Sequence, residues 1–277
     1  MDYAEHPAPP ELRRQVQCVW VLRDPAPDAG IQTVYADGRC ELIAHFGAPM
    51  RLHRGDGRIE TQAALLFAGQ QLGPIRLQAT GPVHCLGVRL TPAASGLVAG
   101  ARLPALRDAI PDLGEIDPAF ARAFAEAAHG FVREDRAAPL WQLLATRATA
   151  PDRAIEHAVD LLDRQDGDLR IADLAAAVGL SLRSLQSRFL AAVGMSAKEY
   201  ARVRRLQGLL RVLDEERAAI ADAAARLGYT DQAHATHDLG RWTGTTPARL
   251  VSALRGDREG VDALRLAAAF VRGHARA

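Results

Sequence analysis

An internal repeat in the C-terminal half constrains this chain more than any other feature of its sequence. The segment IADLAAAVGLS at 171–181 aligns with IADAAARLGYT at 220–230, and six of the eleven positions are identical. Each copy combines an Ala-rich stretch that can form a closely packed helix, a glycine that can adopt positive φ, and a Ser or Thr that can N-cap the next helix. This order of residue types predicts a helix-turn-helix unit in each copy.

The two units have similar exits and are joined by one further helical segment. The second helix of each unit is followed by a glycine, Gly194 in GMSAKEY and Gly244 in GTTPARL. Apolar residues at helical spacing predict a joining helix over residues 197–213. A rigid joining helix would let two recognition helices enter successive major grooves of DNA, about 34 Å apart.

The N-terminal part follows a different pattern. Short apolar segments separated by turn pairs such as Asp37-Gly38 and Asp56-Gly57 predict strands, at 15–22, 40–46, 49–53, 64–68 and 84–90. Many short strands at this spacing predict a small antiparallel barrel or sandwich, and we expect a cupin-like β barrel. From Asp117 onward, apolar residues recur every three or four positions and predict helices at 117–134 and 139–148.

The chain is therefore expected to be a multi-domain α and β protein. Its 277 residues are enough for two domains. The predicted division has four parts: a β-rich sensor or effector domain at 1–115, connecting or dimerisation helices at 116–150, an all-α DNA-binding domain with two helix-turn-helix units at 151–256, and a C-terminal helix at 257–277.

Composition excludes several classes of protein. Apolar residues make up 48% and charged residues 24% of the chain, which is typical of globular proteins and excludes general disorder. The sequence has no apolar run near the roughly 18 residues of a membrane span, and its opening, MDYAEHPAPP, is unlike a signal peptide. We expect a cytoplasmic protein without a membrane partner. The net charge of +1, taken over the whole chain, argues against a nucleic-acid binder.

The segment from about Asp152 to Arg255 resembles the DNA-binding domain of the AraC/XylS transcription regulators. The motifs that carry the resemblance are IADLAAAVGLSLRSLQSRF with GMSAKEY, and IADAAARLGYTDQAH with GTTPARL. DGRCELIAHFG and GPVHCLGVRLTP are similar to the sensor domain of some relatives. The resemblance implies seven helices with two helix-turn-helix units, double-stranded operator or promoter DNA as partner, a homodimer, and RNA polymerase as a further partner.

In the first unit, helical spacing separates an apolar face from a polar one. The apolar face is expected to pack into the core, with Leu182, Leu185, Phe189, Ala192 and Val193. The opposite face contains Arg183, Gln186, Ser187 and Leu190. Since Arg can bind guanine and Gln can bind adenine through two hydrogen bonds, we expect base contacts from Arg183 and Gln186, with Ser187 beside them. Relatives often carry Arg where Ser187 stands, which makes Arg188 a candidate for phosphate contact.

Local charge differs sharply between the units. Between Arg170 and Val212, eight basic residues face two acids, a local charge of +6. Between Leu213 and Gly240, six acids face two arginines, a local charge of −4. We therefore expect the first unit to supply most of the base readout. In the second unit the candidate base contacts are Gln232, Thr236 and His237. The phosphate candidates of both units are Ser181, Arg188, Lys198, Arg202, Arg204, Thr230, Arg241 and Thr246.

The N-terminal part offers a candidate effector pocket. The residue types suit a small, partly apolar molecule, and the candidates are Trp20, Glu41, His45 and Phe67. Aromatic residues of this kind also build cores. No H-x-H pair accompanies His45, His53 and His84, so we expect neither a metal nor another cofactor. Cys18, Cys40 and Cys85 fit buried apolar positions, although adjacent His84 leaves a reactive Cys85 open.

These observations predict an effector-responsive, sequence-specific transcription regulator that is not an enzyme. One alternative is a DNA-repair alkyltransferase with a reactive cysteine, although the chain has only a reversed His84-Cys85 pair. Another is an effector-independent regulator whose barrel serves dimerisation. The apolar stripe of Phe120, Phe124 and Phe131 fits a dimer interface, and it equally fits packing within one subunit.

Overall fold

The computed structural model describes residues 1–215, 219–229 and 231–254. Its strands are β1 (Asp2–Pro7), β2 (Val16–Asp24), β3 (Ile31–Val34), β4 (Glu41–His45), β5 (Met50–His53), β6 (Ile59–Thr61), β7 (Leu65–Ala68), β8 (Ile75–Ala79) and β9 (Val83–Leu90). The five predicted strands are confirmed to within two residues at each end. Four further strands, β1, β3, β6 and β8, were not predicted.

The strands form two antiparallel sheets in place of the predicted closed barrel. One sheet has the order β1-β2-β9-β4-β7 and the other β3-β8-β5-β6. Between β4 and β5 the chain passes from the first sheet to the second at Gly47, where a Cβ would collide with the carbonyl of Pro82. Apolar side chains including Trp20, Leu22, Met50 and Cys85 form a small core. The predicted β-rich N-terminal part is confirmed, whereas closure into a barrel is not, because strand spacing specifies the strands but does not specify closure of the ladder.

Helices cover the other face of the larger sheet. They are α1 (Gly96–Ala99), α2 (Leu113–Ile116), α3 (Pro118–Glu134) and α4 (Ala138–Arg147), with short 3₁₀ helices at Pro10–Leu12, Pro92–Ala94 and Gly100–Leu106. Asp117 caps α3 by accepting hydrogen bonds from the backbone of Ala119 and Phe120 at 3.1 and 2.9 Å. The predicted stripe of Phe120, Phe124 and Phe131 is buried within the subunit, in a core shared with the sheet.

Seven helices follow within the described part of the chain. They are α5 (Arg153–Arg164), α6 (Ile171–Ala177), α7 (Leu182–Val193), α8 (Ala197–Glu215), α9 (Ile220–Arg226), α10 (Gln232–Thr243) and α11 (Pro247–Leu254). The predicted joining helix is α8, whose 19 residues give a length of about 28 Å. The helix predicted at 257–277 lies outside the described residues. Of the residues described, none belongs to a helix long and apolar enough to cross a membrane.

The helical region and the sheets share buried surface. Tyr35, Ala36 and Ala93 belong to the same apolar cluster as the cores of α5, α7 and α8. The predicted division near residue 150 therefore separates two parts of one packed molecule, and its status as a domain boundary stays a prediction.

Candidate nucleic-acid interface

The first helix-turn-helix consists of α6, a turn at Gly179 and α7. Gly179 adopts φ +70°, the left-handed conformation that the repeat predicted. The hydroxyl of Ser181 accepts a hydrogen bond from the backbone N–H of Ser184 at 3.2 Å and so caps α7. Leu185 and Phe189 are buried beneath α7, which fixes the helix on the domain and determines which face is exposed.

The exposed face of α7 contains the predicted base-reading residues. Arg183, Gln186 and Ser187 are all exposed. Val193 is buried and Ala192 half-buried, as expected for the core side. Leu182 was predicted to be in the core, and this was wrong. It is the first residue of α7 and lines an open groove, so that 46% of its surface is exposed.

Ion pairs engage half of the eight basic residues of the first unit. Arg188 donates two hydrogen bonds to Asp152, at 2.7 and 2.6 Å. Three more arginines pair with acids of the segment just before α6, in the pairs Arg204–Asp163, Arg205–Asp168 and Arg211–Asp166. The local charge of +6 overstates the field of the folded unit, since these four acids lie outside the stretch over which it was counted.

This ion pairing makes two of the predicted phosphate-contacting residues less available to DNA. Arg204 is 9% exposed and lies 2.9 Å from Asp163, so its burial contradicts a role in phosphate contact. The side chain of Arg188 is exposed, but two of its N–H groups donate to Asp152. Within the described residues, four cations of the first unit form no ion pair, and they are exposed at the surface: Arg170, Arg183, Lys198 and Arg202.

The second helix-turn-helix has the same backbone plan. Its turn is at Gly228, with φ +68°, and α10 ends before Gly244, with φ +66°. Ala235 and Leu239 are buried, as the spacing predicted. Among the candidate contacts, four are exposed and Thr236 is half-buried, the exposed ones being Gln232, His237, Arg241 and Thr246. Thr230 lies outside the described residues.

A groove of about 810 Å³ runs between the two units. One wall is α7, where Leu182, Gln186 and Leu190 line it. The other walls are formed by α6, α8 and α10, and the charged residues on them are Arg170, Lys198, Arg202, Arg205 and Asp238. The groove therefore combines a cationic rim with an apolar wall.

The N-terminal loop between β3 and β4 is bound to α5 and α8. Arg39 donates to the hydroxyl of Tyr200 at 2.8 Å and to Asp163 at 3.2 Å, and Tyr200 donates to Asp163 at 2.7 Å. Gln207 donates to the carbonyl of Ala36 at 2.6 Å. Burial by itself raises the pKa of Asp163, but the charges of Arg39 and Arg204 hold that pKa below its ordinary value. We call Arg39, Asp163, Tyr200 and Arg204 the inter-region cluster.

The predicted effector residues do not form one pocket. Trp20 donates to Glu41 at 3.0 Å, and Arg89 donates to the same carboxylate at 2.9 Å. Burial raises the pKa of Glu41 although Arg89 opposes this effect. His45 lies on the same strand with a pKa lowered by burial. Phe67 packs against the helices on the opposite face of the sheet, so its inclusion in the pocket was wrong.

Arg89 is the residue of this site that sequence reasoning missed. Its side chain is 0% exposed and pairs with Glu41 at 2.9 Å and Glu5 at 3.1 Å. The signal available in the sequence was an arginine within the apolar segment HCLGVRL.

The three cysteines are buried, as expected. Burial raises the pKa of each thiol to about 12, so that thiolate formation is disfavoured at Cys18, Cys40 and Cys85. Over the residues the structure describes, no three His, Cys, Asp or Glu side chains form a group suited to a metal ion.

Two family models match the sequence. Residues 174–253 match a model described as a helix-turn-helix domain, which is of the AraC type, and residues 4–112 match a domain of unknown function (DUF6597). No curated protein sequence matches the chain.

Several solved structures are similar in arrangement at low sequence identity. ToxT from Vibrio cholerae O395 aligns with 11% identity and a TM-score of 0.45, over 85% of this chain and 97% of that one. ToxT from V. cholerae strain SCE256, bound to an unsaturated fatty acid, aligns with 10% identity and a TM-score of 0.46, over 87% and 96%. The AraC-like transcriptional activator CuxR aligns with 16% identity and a TM-score of 0.32, over 68% and 75%.

Proposed function

We propose that this chain, whose C-terminal region carries an AraC-type helix-turn-helix domain, regulates transcription by binding specific double-stranded DNA sequences with two helix-turn-helix units. The observation that carries the proposal is the pair of units itself, each with a turn glycine at positive φ and an exposed recognition helix. A helix of this kind fits the major groove, and two of them joined by α8 suit two successive grooves.

Most of the base readout is assigned to the first unit. Arg183, Gln186 and Ser187 lie exposed on α7, and Arg and Gln have the donor and acceptor geometry that distinguishes guanine and adenine. In the second unit, Gln232, Thr236 and His237 contribute weaker contacts. No arginine stands among those three, and the surrounding segment is acidic.

Phosphate contacts are assigned to residues that remain available after ion pairing. These are Ser181, Lys198 and Arg202 in the first unit, and Arg241 and Thr246 in the second. The exposed Arg170 at the rim of the groove joins this set. With about four cationic contacts, affinity should fall only moderately with salt, as roughly the fourth power of salt concentration.

Selection of bound fragments from genomic DNA tests the proposal directly. The purified chain should enrich fragments with a shared motif of two blocks spaced by about one helical turn, 10 base pairs. Recovery of fragments with no motif beyond that of the input would contradict sequence-specific binding. Neighbouring genes in the enriched fragments would then indicate the regulated process and the class of effector.

We further propose that an effector alters DNA binding through the inter-region cluster. The cluster joins the loop at Arg39 to α8, the helix that sets the distance between the two units. A ligand bound near Glu41, on the strand that follows Arg39, and near its partner Trp20 on β2 would change the position of this loop and so bias α8. The rival proposal is an effector-independent regulator.

A thermal-shift screen of metabolites, with and without selected DNA, separates these two proposals. A responsive protein should show a metabolite whose stabilisation depends on whether DNA is bound, since two coupled ligands change each other's affinity by the same factor. Equal shifts in both arms for every metabolite would support the effector-independent form. The alkyltransferase alternative gains no support, because Cys85 is buried.

We also propose that the protein forms a homodimer and contacts RNA polymerase. We expect it to act in the cytoplasm. The phenylalanine stripe gives no argument for a dimer, because it is buried inside the subunit. Analytical ultracentrifugation of the chain alone and with selected DNA would measure the assembly, and a monomer under both conditions would remove the dimer from the proposal.

A further inference from the structure

Two leucines on the recognition helix of the first unit are exposed. Leu182 is 46% exposed and Leu190 is 37% exposed, whereas Leu185 on the same helix is completely buried. Residues four apart on a helix lie on the same side, so Leu182, Gln186 and Leu190 form one stripe along α7. All three side chains line the groove between the units.

The surroundings of this stripe indicate what it binds. Arg170, Lys198 and Arg202 line the same groove, and none of them forms an ion pair within the described residues. Asp238 of α10 is the acid among the lining residues, so the cations outnumber it. A matching partner must therefore carry negative charge beside small apolar groups. The major groove of DNA has this combination, because phosphates flank the 5-methyl groups of thymine. A purely apolar partner would leave the cationic rim unmatched.

We propose that Leu182 and Leu190 determine specificity by contacting thymine methyl groups on either side of an adenine that Gln186 reads. This inference rests on the proposed DNA binding. Four residues along a helix span about 6 Å, and successive base pairs along DNA are about 3.4 Å apart. Each leucine therefore lies about two base-pair steps from the pair that Gln186 contacts.

Thymine-to-uracil replacement tests the methyl contact without disturbing base pairing. The full chain is used to select a tight-binding duplex from random sequences, and each thymine of that duplex is then replaced singly by deoxyuridine. We expect replacement at two positions, about four base pairs apart, to raise the Kd of the wild-type chain about fourfold each, the effect of losing one buried methyl-sized group.

Alanine variants assign each methyl group to its leucine. Leu182→Ala should abolish the uracil effect at one position and keep it at the other, and Leu190→Ala should do the reverse. Ile59→Ala is the matched control, because Ile59 is an aliphatic side chain exposed to 58% on β6. It should leave both effects unchanged. Since both leucines are exposed, the thermal unfolding midpoints should stay at the wild-type value.

The outcomes separate this inference from the proposed function. Equal Kd values for the thymine and uracil duplexes at every position would overturn the inference. If Arg183→Ala still weakened binding, specific DNA binding would stand. Uracil effects that persist in both leucine variants would assign the methyl contacts to other residues and overturn the inference in the same way. Failure to select any duplex would remove the proposed function together with this inference.

Discussion

The two helix-turn-helix units share one backbone plan and differ in how they are attached to the rest of the molecule. The first unit packs closely on the N-terminal region: Gly194 lies against Leu103, where a Cβ would approach to 3.0 Å, and Arg107 pairs with Glu199 at 3.2 Å. At the corresponding glycine of the second unit, Gly244, a Cβ would be 3.6 Å from Pro74, an ordinary contact. The glycine that follows the recognition helix is therefore tightly packed against the N-terminal region in the first unit, whereas in the second unit it makes only an ordinary van der Waals contact.

The two units also differ in the charge of their side chains. The basic residues of the first unit are partly neutralised by Asp152, Asp163 and Asp166, which lie just before, within and just after α5. Three of its exposed cations line the groove, namely Arg170, Lys198 and Arg202. The second unit carries an excess of acids in its own segment. A repeated fold need not have a repeated role. We propose that the first unit reads DNA from a fixed position and that the second unit adjusts the contact.

Removing the charge of Asp163 should have the largest effect. Asp163→Asn leaves Arg39, with a side chain only 7% exposed, and Arg204 without their shared carboxylate. Because breaking a buried ion pair costs about 3–5 kcal/mol and Asp163 is 26% exposed, we expect a loss of about 3 kcal/mol in the free energy of unfolding. Denaturant unfolding measures it. Asp56→Asn, in the solvent-exposed Asp56–Arg58 pair, is the control and should leave the free energy of unfolding nearly unchanged.

The same carboxylate predicts how stability depends on pH. Its pKa is held below the ordinary value in the folded chain, so its contribution is fully present above the unfolded pKa of about 3.9. The contribution is lost as pH falls through the folded-state pKa. The stability difference between wild type and Asp163→Asn should therefore be constant from pH 7 to 5 and shrink below about pH 4. A difference that grows on acidification would show that the pKa is raised instead.

Arg183→Ala should weaken binding to selected DNA more than His237→Ala. Loss of a bidentate base contact costs about 1–3 kcal/mol, which is roughly 5- to 150-fold in Kd. His237→Ala should change Kd less than about threefold, because we assign that residue a weak contact. Fluorescence anisotropy on one duplex measures both, and Arg122→Ala on the exposed surface of α3 is the control. Equal losses for the two variants would break the proposed division of roles between the units.

The features of the two units that depend on local sequence pattern could be predicted from the sequence. The turn glycines Gly179 and Gly228 and the buried Leu185 follow from residue types at fixed spacing. The burial of Arg204 does not, because it depends on Asp163 of another helix folding against α8. The exposure of Leu182 likewise depends on the groove that α8 leaves open beside it.

The same limit explains the errors in the N-terminal part. Strand β1 was missed because most of it is exposed, and its residues, DYAEHP, lack apolar alternation. Pairing between strands that are distant in the sequence determines whether the sheets close into a barrel. It also determines which face of the sheet Phe67 occupies. Alternation along one strand predicts that two faces differ, but it does not tell which face meets the helices.

Adding a positive charge to the second unit should have the smallest effect, and it tests whether charge alone distinguishes the units. Ala233 is exposed on α10 one turn before His237 and on the same side of the helix, so Ala233→Arg places a cation on the proposed DNA side without disturbing the core. One extra phosphate contact should steepen the plot of log K against log salt by about 0.9 and make the affinity loss between 50 and 200 mM salt about threefold larger. Ala119→Arg, on the exposed start of α3, should leave the slope unchanged. An unchanged slope in Ala233→Arg would mean that this face of α10 does not reach the DNA backbone. Equal steepening in both variants would mean that the added net charge, and not its position on α10, causes the effect.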